Sequence, residues 1–246
     1  MRRKISYQLL ATFMLLFALQ AQEAGVLPVG MFSAEKEEGG LPADWKPFFF
    51  KNVAKHTDYA LLRDNGTIVL RAQSTAAASG LARSMRIDPR QYPILEWRWK
   101  VTNIPPKSDV HKKSGDDYPA RIFINFIFDS KSAGFWDRFR HKTVGGMYGL
   151  EAPGTALNYI WAGNGTLGSM IASPFTDKVR MVLVESGSAK LSTWITEQRN
   201  IVDDYRKAFG QDPPAISSIA IMTDTDNTGE SATAFYGDIV FKKISQ

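Results

Sequence analysis

Short alternations of apolar and polar residues recur along most of this chain, with turn residues between them. In Leu95–Val101 the odd-numbered positions are apolar or aromatic, whereas Glu96, Arg98 and Lys100 are charged. Because successive side chains of a strand point to opposite faces, this pattern predicts a strand with one buried and one solvated face. Such runs predict the strands Lys46–Phe50, Tyr59–Arg63, Thr67–Gln73, Ala82–Ile87, Leu95–Val101, Arg121–Phe128, Ala156–Trp161, Lys178–Ser186, Ser217–Thr223 and Ala232–Phe241.

Many short strands separated by turns are typical of a jelly-roll β-sandwich, so the predicted fold class is mainly β. One helix packed on or beside the sandwich is predicted near 193–209. Trp194, Ile201 and Tyr205 fall near one stripe of that helix, and a Ser–Thr pair could cap its start. Gly210 stands where a C-terminal glycine belongs. The same alternation places Trp97 and Trp99 on the core face of the predicted strand Leu95–Val101.

The first 21 residues have the order of a secretory signal. A basic start, Arg2–Lys4, precedes the apolar run Leu9–Leu19 and small residues around Ala21. The run is shorter than the roughly 20 residues that a membrane span requires. We therefore predict cleavage near Ala21, a periplasmic or secreted product, and no stable membrane insertion after cleavage. A retained N-terminal anchor is the alternative, because Leu19 is a poor residue three places before a cut.

After the signal, residues 22–44 are expected to form an exposed approach segment and residues 45–246 a single β-sandwich domain. No Ser/Gly linker, repeat or block of like charge divides the second range. Removal of residues 1–21 lowers the formal charge from +5 to about +2, which argues against a nucleic-acid partner. The absence of cysteine excludes thiol catalysis, disulfides and cysteine-based zinc sites.

An acidic segment near the C-terminus, Asp224–Glu230, combines carboxylate, amide and hydroxyl oxygens with a glycine. Ca²⁺ takes six to eight oxygen ligands, so this segment predicts a possible structural calcium site. If the flanking strands pair as a hairpin, Asp224, Asp226 and Asp238 would converge on one rim, where their charges repel unless a cation neutralises them. A polar turn without metal is the alternative interpretation.

Candidate ligand-binding residues lie around the strand that begins at Arg121. Asp117 and Arg121 could bind sugar hydroxyls or serve in acid–base chemistry, although an internal salt bridge is the plainer interpretation. Asn125 shares the strand face of Arg121. Trp136 lies in a polar loop and Trp161 ends a strand before a Gly-Asn-Gly turn, so both are candidates for stacking on a sugar ring.

The chain resembles the bacterial exported family known as domain of unknown function 3047. The resemblance spans about 200 residues and rests on the segments Leu41-Pro42-x-x-Trp45, Ser79-Gly80-Leu81, Tyr92-Pro93-x-Leu95-x-Trp97-Arg98-Trp99, Asp117-Tyr118-Pro119-Ala120-Arg121, Tyr159-x-Trp161, Glu197-x-Arg199-Asn200, Asp204-Tyr205, Phe209-Gly210, Asp224-Thr225-Asp226-Asn227-Thr228 and Tyr236-Gly237-Asp238-Ile239. It implies no activity and no catalytic residue. The overall pattern is also similar to galactose-binding-like jelly rolls, which implies binding only by analogy of fold.

Three functions are compatible with these observations. The leading hypothesis is non-catalytic binding of carbohydrate or another cell-envelope ligand on an open sheet face near Arg121, Asn125 and Trp161. The first alternative is a glycan-cleaving hydrolase or lyase that uses Asp116, Asp117 and Arg121 together with a Tyr or His in a cleft. The second alternative is an envelope scaffold or assembly protein. The sequence favours a binder over an enzyme, and it does not identify the ligand.

Overall fold

Thirteen strands make up most of the chain that the computed structural model describes, which is residues 25–37, 39–128 and 154–244. The strands are β1 (Val26–Gly30), β2 (Lys46–Phe49), β3 (Asp58–Asp64), β4 (Thr67–Thr75), β5 (Ala78–Ile87), β6 (Ile94–Val101), β7 (Ala120–Phe126), β8 (Thr155–Ala162), β9 (Met170–Ser173), β10 (Thr176–Ser186), β11 (Ile195–Asn200), β12 (Ile216–Asp224) and β13 (Ser231–Lys242). All ten predicted strands are confirmed, with ends shifted by four residues or fewer.

The strands form two sheets. The first sheet has the order β11-β6-β13-β4-β3, and β1 also pairs with β13. The second sheet has the order β2-β5-β12-β7-β8-β10-β9. Neighbours pair antiparallel except β8 and β10, which run parallel. Two packed sheets with one helix confirm the predicted mainly β jelly-roll sandwich.

The core lies between the two sheets and is rich in aromatic rings. Trp97 and Trp99 of β6 are 1% and 0% exposed, which confirms their predicted core position. The ring of Trp99 lies 6.0 Å from that of Trp161, and the ring of Trp97 lies 5.3 Å from that of Tyr159, both in β8. Aromatic side chains of this size bury a large apolar surface, and these four rings pack the first sheet against the second.

One helix, α1 (Ile201–Phe209), packs against the second sheet through Tyr205, whose ring lies 4.5 Å from that of Phe126. The packed helix and its C-terminal Gly210 are confirmed, but the predicted start near 193 is wrong. Residues Ile195–Asn200 form β11 instead, because this segment pairs antiparallel with β6 at the edge of the first sheet and its alternate side chains are partly buried. Asn200 caps the helix: its Oδ1 accepts hydrogen bonds from the second and third helical N–H groups. Two short 3₁₀ helices, Phe32–Ala34 and Lys113–Gly115, are the remaining elements of the residues that the structure describes.

The segment before residue 45 differs from the exposed approach predicted over 22–44. Val26–Gly30 pairs with β13, and Val29 and Phe32 are fully buried in the core. This strand is short and contains a proline, so its sequence carries little alternation. The helices that the structure describes are too short or too polar to cross a lipid bilayer.

Candidate functional site

Three connections meet at one end of the second sheet, because β7, β8 and β12 are neighbours whose pairing brings the start of β7 beside the ends of the other two. The connections are the β6–β7 segment (102–119), the β8–β9 segment (163–169) and the β12–β13 segment (225–230). Side chains of these three segments, together with the first residues of β7, form the candidate site.

Arg121 is the central charge beneath this end of the sheet, and it is only 5% exposed. Its guanidinium forms a two-pronged ion pair with Asp224, with Nε 2.6 Å from Oδ1 and Nη2 bonded to Oδ2. Nη2 also donates to the backbone carbonyl of Asp116 over 2.6 Å, and the ring of Tyr118 lies 4.3 Å from the guanidinium carbon. The internal salt bridge predicted for this strand start is therefore present, with Asp224 as its main partner.

Asp117 fastens two of the connections to each other. Its carboxylate accepts hydrogen bonds from the backbone N–H of Thr228 over 2.6 Å, and from the backbone and side-chain N–H groups of Asn227. Its own backbone carbonyl accepts from the Ser108 hydroxyl over 2.6 Å. Asp117 is fully buried, so it positions the residues around the site and does not itself face a ligand.

The carboxylates around Arg121 outnumber the positive charge. Burial raises the pKa of Asp224, the ion pair with Arg121 opposes this rise, and the neighbouring Asp117 and Asp116 add to it. Burial and the charge of Asp117 also raise the pKa of Asp226. Removal of a carboxylate from water disfavours its charged form, so this cluster favours a proton or a cation.

The residues that could hold a hard cation are Asp117, Asp224 and Asp226, whose candidate oxygen atoms lie within 4.8 Å of one another. Asp238 is not part of this group, and that part of the predicted calcium set is wrong. Asp238 accepts hydrogen bonds from the Ser33 N–H and hydroxyl, at 2.9 and 2.5 Å. It lies well along β13, roughly 20 Å of strand away from the acidic turn. Arg121 already supplies a counter-charge to Asp224, and calcium binding stays a prediction.

Beside this cluster the three connections line an open hollow of about 550 Å³. Its lining consists of hydroxyl, amide and charged side chains with one proline: Pro106, Lys107, Ser108, Asp109, Lys112, Ser114, Asn164, Asn227 and Thr228. We call this site the rim hollow. Two of its lining residues, Asn227 and Thr228, are those whose backbone Asp117 holds. The buried cluster therefore supports one wall of the hollow.

The charges in the rim hollow are paired. Lys112 lies 2.8 Å from Asp109, and Lys107 lies 3.7 Å from Glu230. The hydrogen bond with Lys112, together with other donors, lowers the pKa of Asp109 to about 2. Asn164 bridges the walls, since its Oδ1 accepts from the Val110 N–H and its Nδ2 donates to Asp109. The hollow therefore presents fixed donors and acceptors without a large excess of charge.

The remaining predicted ligand-binding residues do not join this site. Asn125 shares the sheet face of Arg121 but lies near the far end of β7, where its Nδ2 donates to the Ser218 hydroxyl over 3.1 Å. Trp161 is fully buried in the core, and its Nε1 donates to the Gly187 carbonyl, so its prediction as an exposed contact is wrong. The Trp161 side chain lies on the core face of β8, where its ring packs against that of Trp99 in β6. Trp136 lies outside the described residues.

Sequence reasoning missed most of the rim hollow. Lys107, Lys112 and Asn164 lie in loops, where side-chain direction does not follow a period. One sequence feature could have indicated the hollow. The segment from Pro105 to Pro119 combines prolines with many polar residues, a composition typical of a long ordered connection.

Taken together, the fold and the site define a two-sheet β-sandwich with an open hollow at one end. The chain belongs to the family described as "Protein of unknown function (DUF3047)", whose model matches residues 43–240. No curated protein matches the chain.

Solved structures similar to this chain align with it at TM-scores of 0.37 to 0.41. The family 11 carbohydrate-binding module of a Clostridium thermocellum cellulosomal cellulase aligns with a TM-score of 0.41 at 9% identity, covering 89% of this chain and 98% of that one. The family 30 module of another cellulosomal cellulase of that organism aligns with a TM-score of 0.37 at 12% identity, covering 89% and 94%. A thermostable cellulase derived from a Rhodothermus marinus enzyme aligns with a TM-score of 0.37 at 12% identity, covering 87% and 99%.

Proposed function

We propose that this protein is a non-catalytic binder of carbohydrate and that the saccharide occupies the rim hollow. The observation that carries the proposal is the lining of this hollow by hydroxyl, amide and paired charged groups. A sugar presents many hydroxyl groups, each of which can donate and accept hydrogen bonds. The amide of Asn164 and the carboxylate and ammonium of the Asp109–Lys112 pair offer both kinds of partner within one hollow.

The support beneath the hollow strengthens the proposal. Asp117 fixes the backbone of Asn227 and Thr228, and Ser108 is fixed through the Asp117 carbonyl. Side chains that are ordered before the ligand arrives lose less conformational entropy on binding, so a given set of hydrogen bonds yields a higher affinity. A rigid polar wall of this kind suits a ligand that is recognised through several weak hydrogen bonds.

A binder is favoured over the glycan-cleaving alternative by the state of the acidic residues. Asp116, Asp117 and Arg121 are all at least 95% buried and bond to one another or to backbone groups. A general acid or base must lie within hydrogen-bond reach of the substrate. These residues instead stabilise the site from below.

The proposed setting is the cell envelope. The N-terminal 21 residues have the order of an export signal, so we propose a periplasmic or secreted protein whose ligand is an envelope glycan. The intact mass of the protein recovered from the periplasmic fraction tests this directly. A mass that corresponds to cleavage near Ala21 is expected, and a full-length species retained in the membrane would contradict the proposal.

The binding proposal is tested in two steps with the purified protein. A glycan array identifies the saccharide class, and calorimetry then compares the wild type with Asn164→Ala. Loss of one amide should weaken binding by about 3- to 10-fold, the cost of a neutral hydrogen bond. Gln211→Ala is the matched control, since it removes an exposed amide that does not line the hollow.

Two results would contradict the proposal. The first is an array on which no saccharide binds at millimolar concentration. The second is a saccharide that binds Asn164→Ala and Gln211→Ala with the affinity of the wild type, because the ligand would then lie elsewhere. An envelope scaffold protein without a small ligand would give the first result.

A further inference from the structure

A second cluster of aromatic and basic side chains lies on the outer face of the first sheet, opposite the core. Arg98 and Lys100 project from β6, Phe235 projects from β13, and Trp194 lies in the turn before β11. The guanidinium carbon of Arg98 lies 4.4 Å from the centroid of the Trp194 ring, and Lys100 Nζ lies 4.6 Å from that of Phe235. All four side chains are partly exposed. We call this surface the outer aromatic patch.

Asp64 holds two members of this patch in place. Its carboxylate oxygens each lie 2.8 Å from Lys100 Nζ, and Oδ2 accepts a hydrogen bond from Trp194 Nε1 over 2.6 Å. The hydrogen bond with Lys100 lowers the pKa of Asp64, so the carboxylate is charged at neutral pH. Lys100 is therefore neutralised, and the Trp194 ring is fixed in orientation.

Arg98, in contrast, has no ion-pair partner of its own among the described residues, although its charge helps to lower the pKa of Asp64. Its guanidinium makes no ion pair and no hydrogen bond with any residue that the structure describes, and its Nε is buried without a partner. The side chain lies flat between Trp194 and the backbone of Gly237, where a Cβ would come within 2.5 Å of Arg98 Cγ. A glycine at this position therefore gives Arg98 room to lie against the strand. Within the described part of the chain, Arg98 is therefore a cation without an ion pair that lies beside an aromatic ring on the surface.

We propose that the outer aromatic patch binds the carboxylate of an acidic sugar, a uronic acid within an oligosaccharide. A guanidinium binds a carboxylate through two parallel N–H donors, which explains a fixed arginine without a protein partner. The exposed parts of Trp194 and Phe235 offer apolar surface to the C–H face of a sugar ring. The site lies on the opposite sheet from the rim hollow, and it does not depend on the function proposed for that hollow.

The acidic sugar is favoured over an acidic peptide because a single sugar residue can contact both the Arg98 cation and the Trp194 ring. A uronic acid carries its carboxylate on the ring itself, and Arg98 lies directly against the Trp194 ring. A peptide carboxylate is separated from its backbone by flexible methylene groups and brings no ring to stack. Only a ligand with a charge and a rigid ring together matches this spacing.

The test uses the full protein with a galacturonic acid oligomer as probe, and a galactose oligomer of equal length as its neutral counterpart. The acidic oligomer should bind, and Arg98→Gln should weaken its binding by about 10-fold or more, because a charge-assisted pair is lost. Arg86→Gln is the matched control, since it removes the same charge from an exposed position on the second sheet. Arg98→Lys keeps the charge but loses the paired donors, so its affinity for the acidic oligomer should lie between that of the wild type and that of Arg98→Gln.

A second readout does not depend on a substitution at Arg98. The indole N–H resonance of Trp194, identified by its absence in Trp194→Phe, should shift on addition of the acidic oligomer to the wild type. A thermal melt of Arg98→Gln shows whether this substitution lowers the stability of the fold. The Trp194 shift is measured on the wild type, so it remains valid if it does. Asn164→Ala in the rim hollow should leave the affinity for the acidic oligomer unchanged, so failure of the two proposals can be told apart.

Several outcomes would overturn this proposal. Equal binding of Arg98→Gln and the wild type would remove the arginine from the site, and equal losses in Arg98→Gln and Arg86→Gln would indicate only non-specific attraction. Equal affinity for the acidic and neutral oligomers would show that charge is not recognised. A glutamate-rich peptide that binds through Arg98 where the acidic oligomer does not would make the patch a peptide site.

Discussion

At the scale of single residues, the buried Arg121–Asp224 pair is the feature on which the candidate site depends. Both side chains are at least 95% buried, and Asp116 Oδ2 also lies 3.5 Å from the Arg121 guanidinium. Removal of one partner from a buried ion pair leaves the other charge without compensation in a poorly solvated place. The pair therefore holds the end of the second sheet in its observed arrangement.

We expect Arg121→Ala to lower the free energy of unfolding by about 3–5 kcal/mol, because Asp224 would remain buried without its counter-ion. Urea denaturation monitored by circular dichroism measures this change. Arg63→Ala is the matched control: Arg63 pairs with Glu37 at 3.2 Å, but both side chains are about half exposed. Such surface pairs contribute about 0–1 kcal/mol. A cost below about 1 kcal/mol for Arg121→Ala would contradict the structural role given to the pair.

The sequence identified these residue types but not their roles. Asp117, Arg121, Asp224 and Asp226 were all singled out as candidates for chemistry, and all lie at one end of the sheet. Their meeting depends on the pairing of β7 with β12, which joins residues about 100 positions apart and which no local pattern reveals. For Asp117 and Arg121 the sequence offered both a ligand contact and, as the plainer interpretation, an internal salt bridge, and the structure has the buried salt bridge with Asp224 as its partner.

At the scale of elements, β6 supplies the strongest sequence signal and the centre of the core. Alternation alone predicted the burial of Trp97 and Trp99, because the intervening residues are charged. The helix start was wrong for a related reason. The inward residues of β11 include Glu197 and Arg199, so the strand lacks an apolar stripe and its residues fit a helical pattern equally well.

The two tryptophans give a direct test of the core. Trp97→Ala and Trp99→Ala should each lower the free energy of unfolding by about 3–5 kcal/mol, through lost apolar burial and the cavity left behind. Leu167→Ala, at a position that is 53% exposed, is the control and should change stability by less than about 0.5 kcal/mol. Unchanged melting of both tryptophan variants would mean that these rings face water.

The edge strand β11 contains a carboxyl that should make stability depend on pH. Burial raises the pKa of Glu197 from 4.5 to about 7, and the charge of Glu185 adds to the rise, while Trp99, Lys190 and Arg199 oppose it. The folded chain thus keeps a proton that the unfolded chain has lost. Its contribution to stability is complete below about pH 4.5 and disappears as the pH rises through 7.

Accordingly, the free energy of unfolding should fall between about pH 5 and pH 8 in the wild type. Glu197→Gln should remove part of this fall, and the remainder comes from the buried carboxyls of Asp224 and Asp226. Urea denaturation at a series of pH values measures both slopes. Glu37→Gln, at an exposed position, serves as the control and should leave the slope as it is. If Glu197→Gln retains the wild-type slope, another group is responsible for the pH dependence.

At the scale of the whole molecule, the fold class followed from the sequence and the functional surface did not. Strand alternation has a period, so the sandwich could be predicted from local patterns. The rim hollow is built from three loops that are distant in sequence, and its lining residues Lys112, Asn164 and Asn227 come together only through the order of the strands. The outer aromatic patch likewise needs β6, β13 and the turn before β11 to be adjacent.

The most direct test of the central claim is an NMR titration of the isotope-labelled protein with the neutral saccharide that binds best on the array. If the rim hollow is the binding site, the largest shifts should appear at the backbone amides of Asn164, Asn227 and Thr228, and they should saturate together. Largest shifts on the opposite face of the molecule, with these three amides unmoved at saturation, would contradict the account.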